Sequence, residues 1–191
     1  MSCRVENCRK CDIALGRKNI VNGVGNLNGK VMIIGEAPGY YEDKHGVPFV
    51  GNSGQLLDTM LNLIGLTRKD VYITNVIKCR PPNNRNPLAV EINNCLPHLI
   101  EEIKTIKPKI IILLGGIALN TYFRKSNLTV GKLKGYIIPS HNDSFVMTMY
   151  HPSYVLRNKH NVSLLKGYVQ GFKTFGLLYR ATVNPLITFK I

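Results

Sequence analysis

VMIIGEAPGYYEDKHGVPFVGNSGQLL, residues 31–57, decides the fold. Its opening run, Val31 to Ile34, is apolar and predicts a short buried strand. Gly35, Pro38 and Gly39 break the run, so the chain leaves the strand in a turn with little side-chain bulk. Glu36, Glu42 and Asp43 then set three carboxylates close to the strand's carboxyl end. A second tight segment, Pro48-Phe49-Val50-Gly51, leads into a predicted helix over 53–65. That helix carries Leu56, Leu57, Met60, Leu61 and Ile64 at helical spacing and stops at Gly65. In an open parallel sheet, ligands bind outside the carboxyl ends of the strands. A glycine-lined, carboxylate-rich turn at such an end is therefore a candidate site.

Outward from this stretch the pattern repeats. Residues 71–76, VYITNV, predict a second strand that runs into a proline- and asparagine-rich loop over 78–87. A helix is expected over 88–104, with a kink or early break at Pro97. KIIILL, residues 109–114, is apolar throughout, as a strand covered on both faces should be. A short helix over 117–123 follows, then a turn-rich ribbon over 130–144. Residues 145–150, FVMTMY, form the fourth strand and deliver His151-Pro152-Ser153, and a last helix is expected over 163–179. Residues 16–30 are rich in Gly and Asn and read as loop. Strands alternate with helices, so the expected fold is a three-layer α/β/α sandwich with a four-stranded, mainly parallel central sheet, formed as one domain over 1–191. The right-handed crossover rule then brings the polar segments 36–43, 75–85 and 151–157 to one end of the sheet.

The bulk numbers speak of partners. Lys and Arg number 25 against 11 Asp and Glu, for a net charge of +14. A solvated basic surface is the bland explanation, but an excess this large at 191 residues points to a polyanion, nucleic acid first. No signal peptide and no bilayer-spanning apolar run is visible, so the chain reads as cytoplasmic, with no membrane partner.

Five cysteines in an intracellular chain suit ligation better than disulfides. Cys8 and Cys11 form a CxxC bite among Arg and Lys, and Cys79 and Cys95 can complete an all-cysteine, four-ligand site. Spacing alone leaves zinc and an iron–sulfur cluster both open; Cys3 is a spare. His151, Asn75, Glu36 and Glu42 each have an ordinary reading as strand-end or turn residues. Together at one sheet edge they are a donor, an amide and two carboxylates, parts for recognising a planar heterocycle and for acid–base work. Phe49 reads either as core or as a stacking surface for a base.

These residues resemble a known family. GEAPG (35–39), Glu42-Asp43, PFVG (48–51), GQLL (54–57), TNVIKCRPPNNRNP (74–87), LLGG (113–116), HPS (151–153) and the four cysteines follow, in order, the pattern of the family 4 uracil-DNA glycosylases. The resemblance covers nearly the whole chain. It implies a monofunctional enzyme that flips uracil out of single- or double-stranded DNA and hydrolyses its N-glycosidic bond. Cys8, Cys11, Cys79 and Cys95 would hold a structural 4Fe–4S cluster. Gly35, Ala37, Phe49, Asn75 and His151 would bind uracil, with Phe49 stacking on it and Asn75 reading its edge. His151 would hydrogen-bond O2, and Glu42, then Glu36, would orient water and oppose charge on the sugar. Asn84, Arg85, Ser153, Leu156 and Arg157 would contact DNA, with Leu156 as wedge and Arg157 on phosphate. It further implies a monomer associated with the nucleoid. The apolar, basic PLITFKI tail is a candidate for sliding-clamp contact.

The chain departs from relatives at Ala37, where the best-known branch of the superfamily has a water-activating Asp, at Tyr40-Tyr41, where many have acidic residues, and at Asn52-Ser53. Two other readings compete: a non-catalytic iron–sulfur DNA-binding module, and a zinc protein acting on free nucleotides.

Overall fold

A computed structural model of the chain describes residues 4–140 and 143–183. Among these, β1 (Val24–Gly25), β2 (Val31–Gly35), β3 (Tyr72–Asn75), β4 (Ile110–Leu114), β5 (Ile137–Ser140) and β6 (Ser144–Met149) form one sheet. Its order is β1-β3-β2-β4-β6-β5. The central four strands are parallel, and β1 and β5 pair antiparallel at the two edges. The sheet is thus six-stranded rather than four-stranded. Both extra strands lie where the sequence reads as loop or turn-rich ribbon. β1 is two residues long and is held by backbone pairing to β3, which no side-chain pattern announces. β5 carries Pro139 and two exposed positions, a composition tolerated only at a sheet edge.

Helices cover both faces: α1 (Ile13–Gly16), α2 (Tyr40–His45), α3 (Asn52–Leu63), α4 (Ala89–Ile106), α5 (Gly116–Phe123), α6 (Val130–Leu133), α7 (Pro152–Arg157) and α8 (Val162–Thr182). The apolar strands hide a period of two that only packing reveals. Val31, Ile33, Ile73, Ile110, Ile112, Leu114 and Met147 pack with α3, α7 and α8. Their neighbours Met32, Ile34, Tyr72, Ile111, Leu113 and Val146 pack with α1, α4, α5 and α6. Each such side chain contributes about 1.5–3 kcal/mol through burial. α8 starts where the Asn161 side chain accepts from the Leu164 N–H at 2.9 Å, and it buries Tyr168, Phe172 and Phe175 at helical spacing.

α4 runs through Pro97 without a break. Pro97 and Asn93 are both exposed, so the carbonyl that loses its donor is left to water. The segment after HPS forms the short helix α7, and α2 occupies the turn after β2.

Register brings the site together. Gly35 pairs with Asn75, and Gly115 N–H donates to Met149 O at 2.9 Å, so β2, β3, β4 and β6 end level. Pairing continues past β3: Val76 N–H donates to Gly35 O and Ile77 N–H to Glu36 O. No described helix is long and apolar enough to cross a membrane. Cys3 and the PLITFKI tail lie outside the described residues.

Candidate active site

The carboxyl ends of the four parallel strands open into a groove of about 1470 Å³, lined by Glu36, Ala37, Glu42, Phe49, Asn75 and His151 among others. That is larger than a small-ligand pocket needs, and suits part of a polymer.

Glycines make room for the side chains that meet here. A Cβ on Gly35 would fall 2.5 Å from both the Phe49 ring and Asn75 Oδ1. Phe49 itself sits in the left-handed region, with φ of 55°. That conformation costs a non-glycine residue roughly 1–2 kcal/mol. Arg68 holds it there: one guanidinium N–H donates to Pro48 O at 3.0 Å, a second to Phe49 O, and Nε to Asp58 at 2.7 Å. The result is an aromatic ring, 4% exposed, packed over the strand end.

Asn75 is 2% exposed, and its side-chain oxygen is buried without a hydrogen-bond partner. Buried acceptors are nearly always satisfied, so this one marks a place for a donor from a ligand. Its backbone carbonyl, by contrast, accepts from Lys78 Nζ at 2.7 Å.

His151 caps α7 and lies with its ring centroid 5.8 Å from that of Phe49, the planes tilted by 32°. Its Nδ1 accepts from the Ser153 N–H at 3.2 Å, with Ser153 Oγ 2.8 Å away. A neutral ring accepting at Nδ1 carries its hydrogen on Nε2 and is a donor there. Burial, with help from the Arg157 charge and against Glu42, brings its pKa down to about 4. Gly115, at φ of 94°, leaves space beside it; a Cβ there would lie 3.1 Å from that of His151.

The two carboxylates differ. Glu42 accepts from the backbone N–H groups of Gly39 at 3.1 Å and of Val50 and Gly51 at 2.9 Å. It clasps the turn that presents Phe49, and three of its roughly four acceptor sites are taken. Glu36 is half-buried; burial pushes its carboxyl above the usual range and the Arg157 guanidinium pulls it back.

The expected DNA contacts are scattered around the groove. Arg157, Ser153, Asn84 and Arg85 line it, and Leu156 is exposed on α7. Ser153 is engaged with His151. Arg85 forks onto Glu91 at 2.6 and 2.9 Å, and Asn84 accepts from Arg80 at 2.7 Å. Ala37 packs against the core on the α4 side.

The opposite end of the same loop forms a cysteine corner. Cys8, Cys11, Cys79 and Cys95 are free thiols around one small cavity, shared with Arg17, Lys78 and His98. Arg17 donates to Cys79 Sγ and the Lys78 N–H to Cys95 Sγ, both at 3.3 Å. Burial raises the Cys11 and Cys79 thiols and lifts Cys95 to about 11, against the pull of Lys78 on the last. Among the described residues no group of three or more His, Cys, Asp or Glu side chains is arranged to hold a metal ion. Four cysteine side chains around one cavity, two of them receiving N–H donors, are a donor set chemically suited to holding an iron–sulfur cluster.

The sequence reading missed the groups that hold these parts in place. Lys78, read only as loop, is 1% exposed and pairs with buried Glu102 at 2.7 Å. Lys78 also donates to Thr74 Oγ1 at 2.6 Å, and Glu102 accepts from Thr74 and Tyr72. Asp43 accepts from the backbone of Lys18 and Asn19, tying the N-terminal segment to α2. One signal for the ion pair was available: Glu102 falls on the apolar stripe of α4, between Leu99 and Ile106.

Comparison with known proteins agrees with this geometry. The family model of the Uracil DNA glycosylase superfamily matches residues 22–173. A type-4 uracil-DNA glycosylase of Thermotoga maritima is 43% identical over 158 residues, 83% of this chain and 82% of that one. The type-4 enzyme of Archaeoglobus fulgidus is 41% identical over 180 residues, 91% of this chain and 89% of its own. That of Pyrobaculum aerophilum is 45% identical over 159 residues, 80% and 81% of the two chains. The family model covers most of the chain and the type-4 relatives match it at 41–45% identity: the chain belongs to the uracil-DNA glycosylase superfamily, as one of its type-4 members.

Proposed function

We propose that this chain is a uracil-DNA glycosylase that hydrolyses the bond between uracil N1 and deoxyribose C1′, leaving an abasic site. The observation that carries the reading is the buried, unpartnered Asn75 oxygen beside the Phe49 ring. A uracil laid on Phe49 offers its N3–H to that oxygen, and the Asn75 amide donates to O4. Cytosine presents the reverse pattern at both atoms, so an amide held in this orientation rejects it. A base paired and stacked in a duplex cannot lie on Phe49 and meet Asn75, so the nucleotide must leave the helix to reach them.

As the glycosidic bond breaks, its electron pair goes to uracil and positive charge grows on the sugar. His151, neutral and protonated at Nε2, donates to the departing base without giving up its proton. A preorganised donor of this kind is worth roughly 3 kcal/mol. Glu36 and Glu42 oppose the sugar charge and orient the attacking water, whose oxygen ends on C1′. Glu42 adds a second task through its three amide bonds, fixing the turn that carries Phe49. Leu156 and Arg157, exposed or groove-lining on α7, fill the vacated stack and hold phosphate.

Cys8, Cys11, Cys79 and Cys95 would hold a 4Fe–4S cluster, whose role would be structural: these four side chains would join the N-terminal segment to the loop after β3 and to α4. The protein acts as a monomer in this reading. A substrate of this kind places the protein at the chromosome.

The test is an end-labelled oligonucleotide with one uracil, treated with protein and then with alkali. A uracil-dependent break that appears only after alkali supports the reading. No break, from folded protein that still binds the oligonucleotide, rejects it in favour of a binding module.

A further inference from the structure

Two aromatic sets beside the groove take no part in holding uracil. Tyr40 and Tyr41 open α2 and are 47% and 55% exposed. Their rings meet edge to face at 5.3 Å, and the Arg80 guanidinium lies 5.2 Å over Tyr40. On the other side, Tyr154 of α7 stacks on Tyr150 with centroids 5.0 Å apart and 26° between planes. Lys134 Nζ lies 5.1 Å over Tyr150. Tyr154 remains 41% exposed.

Position gives these sets a common task. Tyr41 and Tyr154 both line the groove that holds Phe49 and His151. α2 follows β2 and α7 follows β6, and β4 lies between those strands in the sheet, so the two sets stand at separate parts of the groove's rim. Each ring is ordered in advance by a neighbouring ring, with a cation behind the pair. Ordering removes the entropy cost of binding, and the cation suits a phosphate. An exposed aromatic face beside a basic groove is a surface on which any base can stack. In a duplex the bases beside a flipped uracil stay paired, stacked on one face and covered by Leu156 on the other, so a protein ring can stack fully only on a base that is unpaired and splayed.

We propose that Tyr41 and Tyr154 are stacking platforms for the two bases that flank the flipped uracil, and that the strand they grip is single-stranded. This inference rests on the uracil-excision reading and deepens it by naming the substrate's form.

The test removes rings and bases in one cycle. Wild-type protein and the Tyr41→Ala/Tyr154→Ala variant are assayed on a single-stranded oligonucleotide with one uracil, flanked by normal nucleotides or by abasic analogues. The expected loss in kcat/KM is on the order of tenfold for removing the rings and a similar loss for removing the flanking bases. The two losses should not multiply, because each deletes the same contact. Tyr41→Phe/Tyr154→Phe should keep nearly full activity, and on duplex DNA the ring deletion should matter less. An unchanged kcat/KM, multiplying losses, or an equal loss on duplex would overturn the proposal. If wild-type protein excises no uracil, the glycosylase reading is what fails. Binding of a uracil-free single strand then decides the platforms, which stand if the alanine variant binds more weakly and fall if it does not.

Discussion

Asn75 belongs to two environments, and their contrast explains the molecule. Its backbone carbonyl faces the α4 side of the sheet, where Lys78, Glu102, Thr74 and Tyr72 satisfy one another in a closed network. Its side-chain oxygen lies on the α3 side, buried and bare. A satisfied polar network rigidifies; an unsatisfied acceptor costs energy until something fills it. The closed half fixes the backbone from which the open half reads its ligand. The same loop then continues through Lys78, whose N–H reaches Cys95, to Cys79, so cysteine corner and base pocket share a few residues of backbone.

Breaking the closed half should have the largest effect. Lys78→Met leaves Glu102 as an unpaired buried charge and should cost about 3–5 kcal/mol in chemical denaturation. Adding Glu102→Leu removes that charge and should recover most of the loss. A Lys78→Met protein as stable as wild type would show that the network carries no strain-free support for the strand end.

Striking the open half should cost little stability and remove activity. His151→Ala is expected to lower kcat for uracil release by roughly 10²–10³-fold, measured by single-turnover excision, with stability reduced only by the lost α7 cap, about 0.5–2 kcal/mol. A smaller change sharpens the boundary between the halves. Gly35→Ala puts a methyl against the Phe49 ring and Asn75 Oδ1. Overpacking of this kind costs about 1–3 kcal/mol, and here it should appear as weaker inhibition by free uracil. The smallest effect is on pH. Because His151 titrates at about 4 when folded, kcat/KM should pass through the ordinary histidine range without a break. Stability has the opposite sensitivity. The unfolded ring takes up its proton near 6.5 and the folded ring only near 4, so stability should fall as pH drops through that window.

The central sheet was legible because apolar runs, glycine stops and strand–helix alternation all agree from Val31 to Met149. The groove's contents were legible for the same reason: polar residues directly after buried strands have few places to go. The edge strands were not, since Val24–Gly25 and Ile137–Ser140 are held by backbone pairing that leaves no side-chain pattern. The supports were hidden too. Lys78 sits in a basic chain, where one more lysine looks solvated, and its burial depends on a glutamate 24 residues away. Glu42 reads as a catalytic carboxylate, and its further task, the hold on three backbone amides of the Phe49 turn, shows only in the structure. Family resemblance names such residues without showing what they touch.

The most direct test of the pocket is competition by free bases. Excision from a labelled uracil oligonucleotide is followed while free uracil, cytosine or thymine is added to wild-type protein and to Asn75→Leu. Inhibition by uracil and not by cytosine, abolished in Asn75→Leu while oligonucleotide binding persists, is the predicted result. Equal inhibition by uracil and cytosine, or uracil inhibition unchanged in Asn75→Leu, would contradict the assignment of the bare Asn75 oxygen as the reader of the base.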